Sequence, residues 1–190
     1  MDGVAPRLEI PPLPIEAVKL LERELGVSGV LAQALARRGL GEPALAREFL
    51  EASTAHRPGE FRGIGAAVDL VLGHVSRGSP ITVHGDYDCD GVCATAILVA
   101  VLRELGGDVD WFLPDRLEDG YGLAAATVRR VAERGTRLLI TVDCAITAVE
   151  EVALATSSGL DVLVTDHHSP RADGALPRCS RSRSLRATAR

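Results

Sequence analysis

Ile81-Thr82-Val83-His84-Gly85-Asp86-Tyr87-Asp88-Cys89-Asp90-Gly91 is the stretch that decides the fold of this chain. A short apolar run leads straight into an imidazole and three carboxylates, and apolar residues resume at Val92 with helical spacing. Strand, acidic turn and helix in that order open a βαβ unit. Carboxylates crowded this closely repel one another unless a cation neutralises them. The turn therefore reads as a metal site at the mouth of a strand.

Outward from this stretch the alternation repeats. A helix over 61–76 (Ile64, Ala67, Leu70, Val71, Val75) precedes strand 80–84, and a helix over 92–105 leads to strand 108–113. Helix 123–134, strand 137–142, helix 147–158 and strand 161–165 complete the series. Helices of about three turns between short apolar strands predict an α/β fold. The expected architecture is three-layered, a mostly parallel sheet flanked by helices, with ligands bound beyond the carboxyl ends of the strands.

Residues 60–170 form the expected catalytic domain. Residues 1–59 are an irregular lead-in, with four of the ten prolines in residues 1–15, followed by two or three short helices expected to pack against the main body. Residues 171–190 hold six of the 21 basic residues and one of the 26 acidic ones, and are expected to be a disordered basic tail. Without them the body carries 15 basic against 25 acidic residues, a net charge of -10 rather than -5. Such a body is no general DNA-coating surface. Many of its carboxylates fall at the expected site, however, where divalent ions would offset them, so a nucleic-acid substrate stays open. No apolar run approaches the roughly 18 residues of a membrane span. The first residues lack a basic-then-apolar leader, and four cysteines at irregular spacing make no disulfide framework. A cytoplasmic protein without membrane partners is expected.

Two more strand ends carry the same chemistry, Val142-Asp143 and Thr165-Asp166-His167-His168. In a parallel sheet these ends lie side by side, so His84, Asp86, Asp88, Asp90, Asp143, Asp166, His167 and His168 can converge. Hard oxygens with a minority of imidazoles suit Mg²⁺ or Mn²⁺, and histidine tilts the choice to Mn²⁺; zinc would take more His or Cys. Two ions about 3.5–4 Å apart could share one carboxylate and hold a phosphate against an acidified water. Competing readings stand beside this one. Asp143 could cap a helix near Thr147, and Asp86 fits a turn-supporting role better than direct ligation. Asp88 and Asp90 are expected to be held inward by a turn at Gly91. His167 and His168, being consecutive, should point apart, one to metal and one to phosphate. Cys89, Cys93 and Cys144 read as small fillers of a strand–helix junction rather than a thiolate site or redox switch. His56 and His74 lie outside the cluster.

The segment Phe112 to Leu123 starts at a strand end on the same side. Arg116 can pair bidentately with phosphate, and Tyr121, set between two glycines, can stack on a base or sugar. An ordinary loop with a surface arginine is the plainer alternative.

With these residues in view, the chain resembles the DHH phosphoesterase superfamily and, within it, the RecJ-type single-stranded-DNA-specific exonucleases. Three motifs carry the resemblance in order: His84 to Gly91, Thr141-Val142-Asp143-Cys144-Ala145-Ile146, and Thr165 to His168. Pro114 to Gly122 looks like the RecJ-type insertion, and the likeness covers roughly residues 45–177. It implies a DHH-type, Rossmann-like domain that hydrolyses single-stranded DNA from the 5′ end to 5′-mononucleotides, in DNA repair and recombination. It also implies one Mn²⁺ or Mg²⁺ ion on His84, Asp88 and Asp143 and a second on Asp90, Asp143 and His167. His168 would touch the scissile phosphate and Asp86 would support the ligand loop. Cys89, Cys93 and Ala145 depart from the family pattern. The family pattern goes on to a fourth aspartate motif, a linking helix, a second domain and an oligonucleotide-binding barrel, none of which is expected within these 190 residues. The resemblance thus implies an amino-terminal part with an incomplete second ion site, a truncated or frame-disrupted form without activity of its own. The alternatives are a DHH phosphodiesterase acting on short oligoribonucleotides or cyclic dinucleotides, and a non-catalytic metal-binding module.

Overall fold

The computed structural model describes residues 11–53, 55–117 and 120–177. Most of the basic tail, Cys179, and Glu118 and Asp119 of the 112–123 segment lie outside the described residues. Two compact units are present, one within Met1–His56 and one within Arg57–Arg190.

The first unit holds α1 (Ile15–Leu25), α2 (Gly29–Arg37) and α3 (Pro43–Glu51). Their inward positions, Val18, Leu21, Ala32, Leu35 and Ala46, are buried together in one small core. Helical spacing of small and branched apolar residues is what builds such a cluster. Ser28 caps α2 by accepting from Leu31 N–H, and Gly26 ends α1 in the left-handed conformation.

The second unit alternates α4 (Ile64–Ser76), β1 (Ile81–His84), α5 (Cys89–Glu104), β2 (Val109–Phe112), α6 (Ala125–Glu133), β3 (Leu138–Val142), α7 (Val149–Ser157) and β4 (Asp161–Thr165). All strands are parallel, in the order β2-β1-β3-β4. β1 and β3 are central and buried along their whole length, as near-continuous apolar strands covered on both faces must be. Successive β3 side chains serve opposite layers. Leu138, Ile140 and Val142 pack with Ala67, Leu70 and Val71 of α4 and with Val99 and Leu102 of α5. Leu139 packs with Val128 and Val131 of α6 and with Val152 and Ala155 of α7. The sheet is therefore flanked on both faces, giving the three-layer α/β fold expected from the alternation.

The strand order positions the site. The chain moves from β1 to β2 in one direction, then crosses back over β1 to reach β3 and β4. Right-handed crossovers running in opposite directions place their helices on opposite faces. The gap between the carboxyl ends of β1 and β3 is thus a topological switch point, where such sheets leave a crevice for ligands. The clusters at 84–91 and at 143 flank that gap.

Candidate active site

The residues after β1 fold into a loop that glycine alone permits. A Cβ on Gly91 would lie 2.5 Å from the backbone N and O of Asp86, and one on Gly85 would meet Gly91 O at 2.8 Å. The loop and the first turn of α5 interlock through these two bare backbones. Asp86 is 2% exposed, and its Oδ1 accepts from Tyr87 N–H at 2.8 Å, which holds the turn. His84 is fully buried, with Nδ1 3.6 Å from Cys144 Sγ and its ring 5.4 Å from that of Phe112.

Asp88 and Asp90 are exposed, not held inward by Gly91 as the sequence suggests. Asp88 is the N-cap of α5, its Oδ1 accepting from Gly91 N–H at 3.0 Å. That cap starts the helix at Cys89, three residues before its apolar stripe, and Gly91 takes the inward position in place of the carboxylates. Both acids stand on the rim, at the positively polarised end of α5, where a carboxylate is favoured.

Across the gap, Asp143 leaves β3 with φ 62°, and Ala145 follows with φ 79°. Left-handed backbone at two non-glycine residues is unfavourable and persists only when the surroundings enforce it. Here Asp143 N–H donates to Thr165 O at 2.9 Å, Thr165 Oγ1 to Thr141 O at 2.7 Å, and Thr141 Oγ1 to Cys144 O at 3.1 Å. These bonds stitch the ends of β3 and β4 together and turn the Asp143 carboxylate towards the histidines. Its Oδ1 lies 2.9 Å from His167 Nε2 and 3.9 Å from His168 Nδ1. His167 Nε2 is at ion-pair distance, yet the buried Oδ1 has no hydrogen bond of proper geometry. Burial, and then the charge of Asp88, push the Asp143 carboxyl above its ordinary range, against the pull of His167 and His168.

A buried carboxylate oxygen without a hydrogen bond, faced by two imidazoles and an acidic rim, is the environment a divalent cation stabilises. Asp143, His167 and His168 offer ligand atoms all within 4.8 Å of one another. The residues fit a divalent ion. His167 and His168 do not point apart as their adjacency suggests; both approach one Asp143 oxygen, with ring centroids 4.6 Å apart.

The sequence singles out no separate role for Asp166, and the structure gives it one. Its side chain is 1% exposed; Oδ1 accepts from His168 N–H at 3.0 Å and lies 2.8 Å from His168 Nδ1. Oδ2 accepts from Ile146 N–H at 2.8 Å, tying the exit of β4 to that of β3. The Oδ1 contact raises the His168 pKa above its ordinary value. Its place inside the Asp-His-His run is the only signal available, and that run reads equally well as a ligand set.

Asp143 does not cap a helix: α7 begins at Val149 without a side-chain cap. Cys144 is buried, and burial followed by nearby carboxylates drives its thiol far up, so it is a packed and unreactive filler. Cys89 and Cys93 are different. They are exposed, with Sγ atoms 4.0 Å apart, and a hydrogen bond from Cys93, then the Asp90 and Asp88 charges, raise the Cys89 thiol. The early start of α5 puts them on its surface rather than in a junction. His74 lies outside the cluster, its Nε2 3.0 Å from Asp161 Oδ2.

Two depressions meet at Asp166. One of about 390 Å³ is lined by Asp90, Ala94, Asp143, Thr165, Asp166 and His167. The other, about 600 Å³, is bounded in part by Tyr121, Ala145, Ile146, Asp166 and His168. Tyr121 stands edge-on to both Tyr87 and His168 at 6.4 Å, and Arg116 lies over the Tyr87 ring at 5.4 Å. Burial, then Asp86 and Asp166, push the Tyr121 phenol up to about 12. The 112–123 segment therefore reaches the rim of the cluster, with aromatic faces and a guanidinium beside it.

Comparison with known proteins accords with this geometry. Residues 80–187 match the model of the DHH family, N-terminal domain. The chain is 39% identical over 157 residues to the single-stranded-DNA-specific exonuclease RecJ of Bacillus subtilis (strain 168), covering 82% of this chain and 20% of that protein. To the protein of the same name from Thermus thermophilus it is 39% identical over 163 residues, covering 86% of this chain and 23% of the relative. It thus spans about a fifth of the length of these relatives. A crystal structure of exonuclease RecJ bound to manganese superposes with a TM-score of 0.60 at 40% identity, covering 70% of this chain and 32% of that one. A crystal structure of RecJ from Thermus thermophilus in complex with Mn²⁺ gives 0.56 at 32% identity, covering 94% and 24%. The interlocked acidic loop, the strained aspartate and the paired histidines thus belong to a member of the DHH family, in its RecJ-type branch.

Proposed function

We propose that residues 57–177 supply the metal-bearing part of a nuclease that hydrolyses single-stranded DNA from its 5′ end and releases 5′-mononucleotides. The observation that carries this reading is the buried Asp143 Oδ1, without a hydrogen bond of proper geometry, facing His167 and His168 across from Asp88 and Asp90. The kinship with RecJ exonucleases, including one crystallised with manganese, supports both the substrate and the ion.

His84, Asp88 and Asp143 would hold one Mn²⁺ or Mg²⁺ ion, and Asp90, Asp143 and His167 the other, with Asp143 common to both. Bound ions of this kind supply charge neutralisation at phosphate and a water acidic enough to attack at neutral pH. The chain's own residues do the rest. Asp86 holds the loop that carries Asp88. Asp166 fixes His168 through Nδ1, which leaves Nε2 to donate to a non-bridging phosphate oxygen. Arg116 would grip a second phosphate, while Tyr121 gives bases a face to stack on. Water entering at phosphorus breaks the bond to the 3′ oxygen of the departing nucleotide, which leaves protonated.

The test grafts residues 80–187 of this chain in place of the matching part of Bacillus subtilis RecJ and compares that chimaera with its Asp143→Ala form. The expected outcome is Mn²⁺-dependent release of 5′-mononucleotides from a 5′-phosphorylated single strand, lost at least ~100-fold in the variant, on the order of 3 kcal/mol of transition-state stabilisation. Undiminished turnover in Asp143→Ala overturns the assignment of the centre. Faster cleavage of a dinucleotide than of a long strand overturns the substrate.

A further inference from the structure

We infer that Cys89 and Cys93 form a second cation site, for a thiophilic divalent ion such as zinc or cadmium, on the exposed face of the first two turns of α5. The two sulfurs are 4.0 Å apart and both residues are exposed. Residues four apart on a helix share one face. Tetrahedral chelation with sulfur–metal bonds of about 2.3 Å sets two sulfurs roughly 3.8 Å apart, so the pair already stands close to the bite of a chelate. A disulfide instead needs the sulfurs at about 2.05 Å. Residues four apart on a helix also hold their Cβ atoms about 5–6 Å apart, beyond the roughly 3.5–4.5 Å that a disulfide spans. The geometry favours a chelated ion over a bridge.

On binding, each thiol releases its proton to solvent, the ion takes two thiolates, and two waters complete the tetrahedron. Soft thiolates and hard carboxylates select different ions. The two thiols are no part of the ligand set proposed for the Asp143 centre, and this site does not rest on the activity proposed there. Cys144 is buried against His84 and offers no competing chelate.

The test adds Cd²⁺ to the full 190-residue chain, kept reduced with a phosphine, and reads the ultraviolet thiolate-to-cadmium charge-transfer band. One Cd²⁺ per chain should produce it. Cys89→Ser/Cys93→Ser should lose the band, whereas Cys144→Ser/Cys179→Ser and Asp143→Ala should keep it. A ¹¹³Cd chemical shift on the unmodified chain supplies a readout independent of any variant's folding, and a two-sulfur environment is expected. The inference is overturned by an all-oxygen shift, by no band in the unmodified chain, by a band that survives Cys89→Ser/Cys93→Ser, or by one that vanishes in Cys144→Ser/Cys179→Ser.

Discussion

Asp166 shows how a single side chain sets the chemistry of its neighbour. It accepts from two backbone N–H groups and holds His168 Nδ1 at 2.8 Å, and this contact keeps His168 more basic than a free imidazole. A histidine with a raised pKa in the fold adds stability that is complete below its unfolded value. That contribution is lost as pH rises through the folded value. Asp166→Asn should therefore lower the His168 pKa and flatten the stability profile over that window. Imidazole proton NMR of the chelator-treated chain measures the first effect, and urea midpoints across pH measure the second. Because the His168 side chain is 43% exposed, solvent screens the pair and the gain in stability is modest. An unchanged His168 titration in Asp166→Asn would contradict the role given to Asp166.

At the scale of the element, α5 combines two tasks in one residue. Asp88 caps the helix and also stands on the metal rim, so its carboxylate serves backbone and cation at once. The two tasks can be separated. Asp88→Ser keeps a hydroxyl able to accept from Gly91 N–H and should leave stability within a few tenths of a kcal/mol, whereas Asp88→Ala should cost about 1 kcal/mol. Both variants should weaken Mn²⁺ binding alike, read by electron paramagnetic resonance. Equal unfolding midpoints for the two variants would show that the cap contributes nothing. The start of this helix is the boundary that periodicity misplaces. Its apolar stripe begins at Val92, whereas the backbone becomes helical at Cys89 because of a cap that has no apolar period.

For the whole molecule, the central strands join the two layers. Leu139 is fully buried on the side of β3 that faces α6 and α7. Leu139→Ala should lower stability by about 2–5 kcal/mol, from lost burial and the cavity left behind. Urea denaturation followed through Trp111, which lies on β2 of the same unit, would report it. A loss below about 1 kcal/mol would mean that this layer repacks freely, contrary to the close packing of a folded interior.

Local pattern alone was enough for the alternation of helices and strands, a mostly parallel sheet flanked by helices, and the placing of three acidic clusters at strand ends. Each of these is a property of neighbouring residues, because burial on one or two faces is written in apolar spacing. The kinship with RecJ was also legible there, in the order of the motifs. Tertiary structure alone decided that β3 lies beside β1, since strand order depends on pairings between residues far apart in the chain. It decided that Asp143 adopts a left-handed backbone, because bonds from Thr165 and Thr141 enforce it. It turned both histidines to one oxygen, left Asp88 and Asp90 on the rim, and brought Tyr121 beside His168. Side-chain direction at a strand end follows from hydrogen bonds made by other strands, and no local period encodes those.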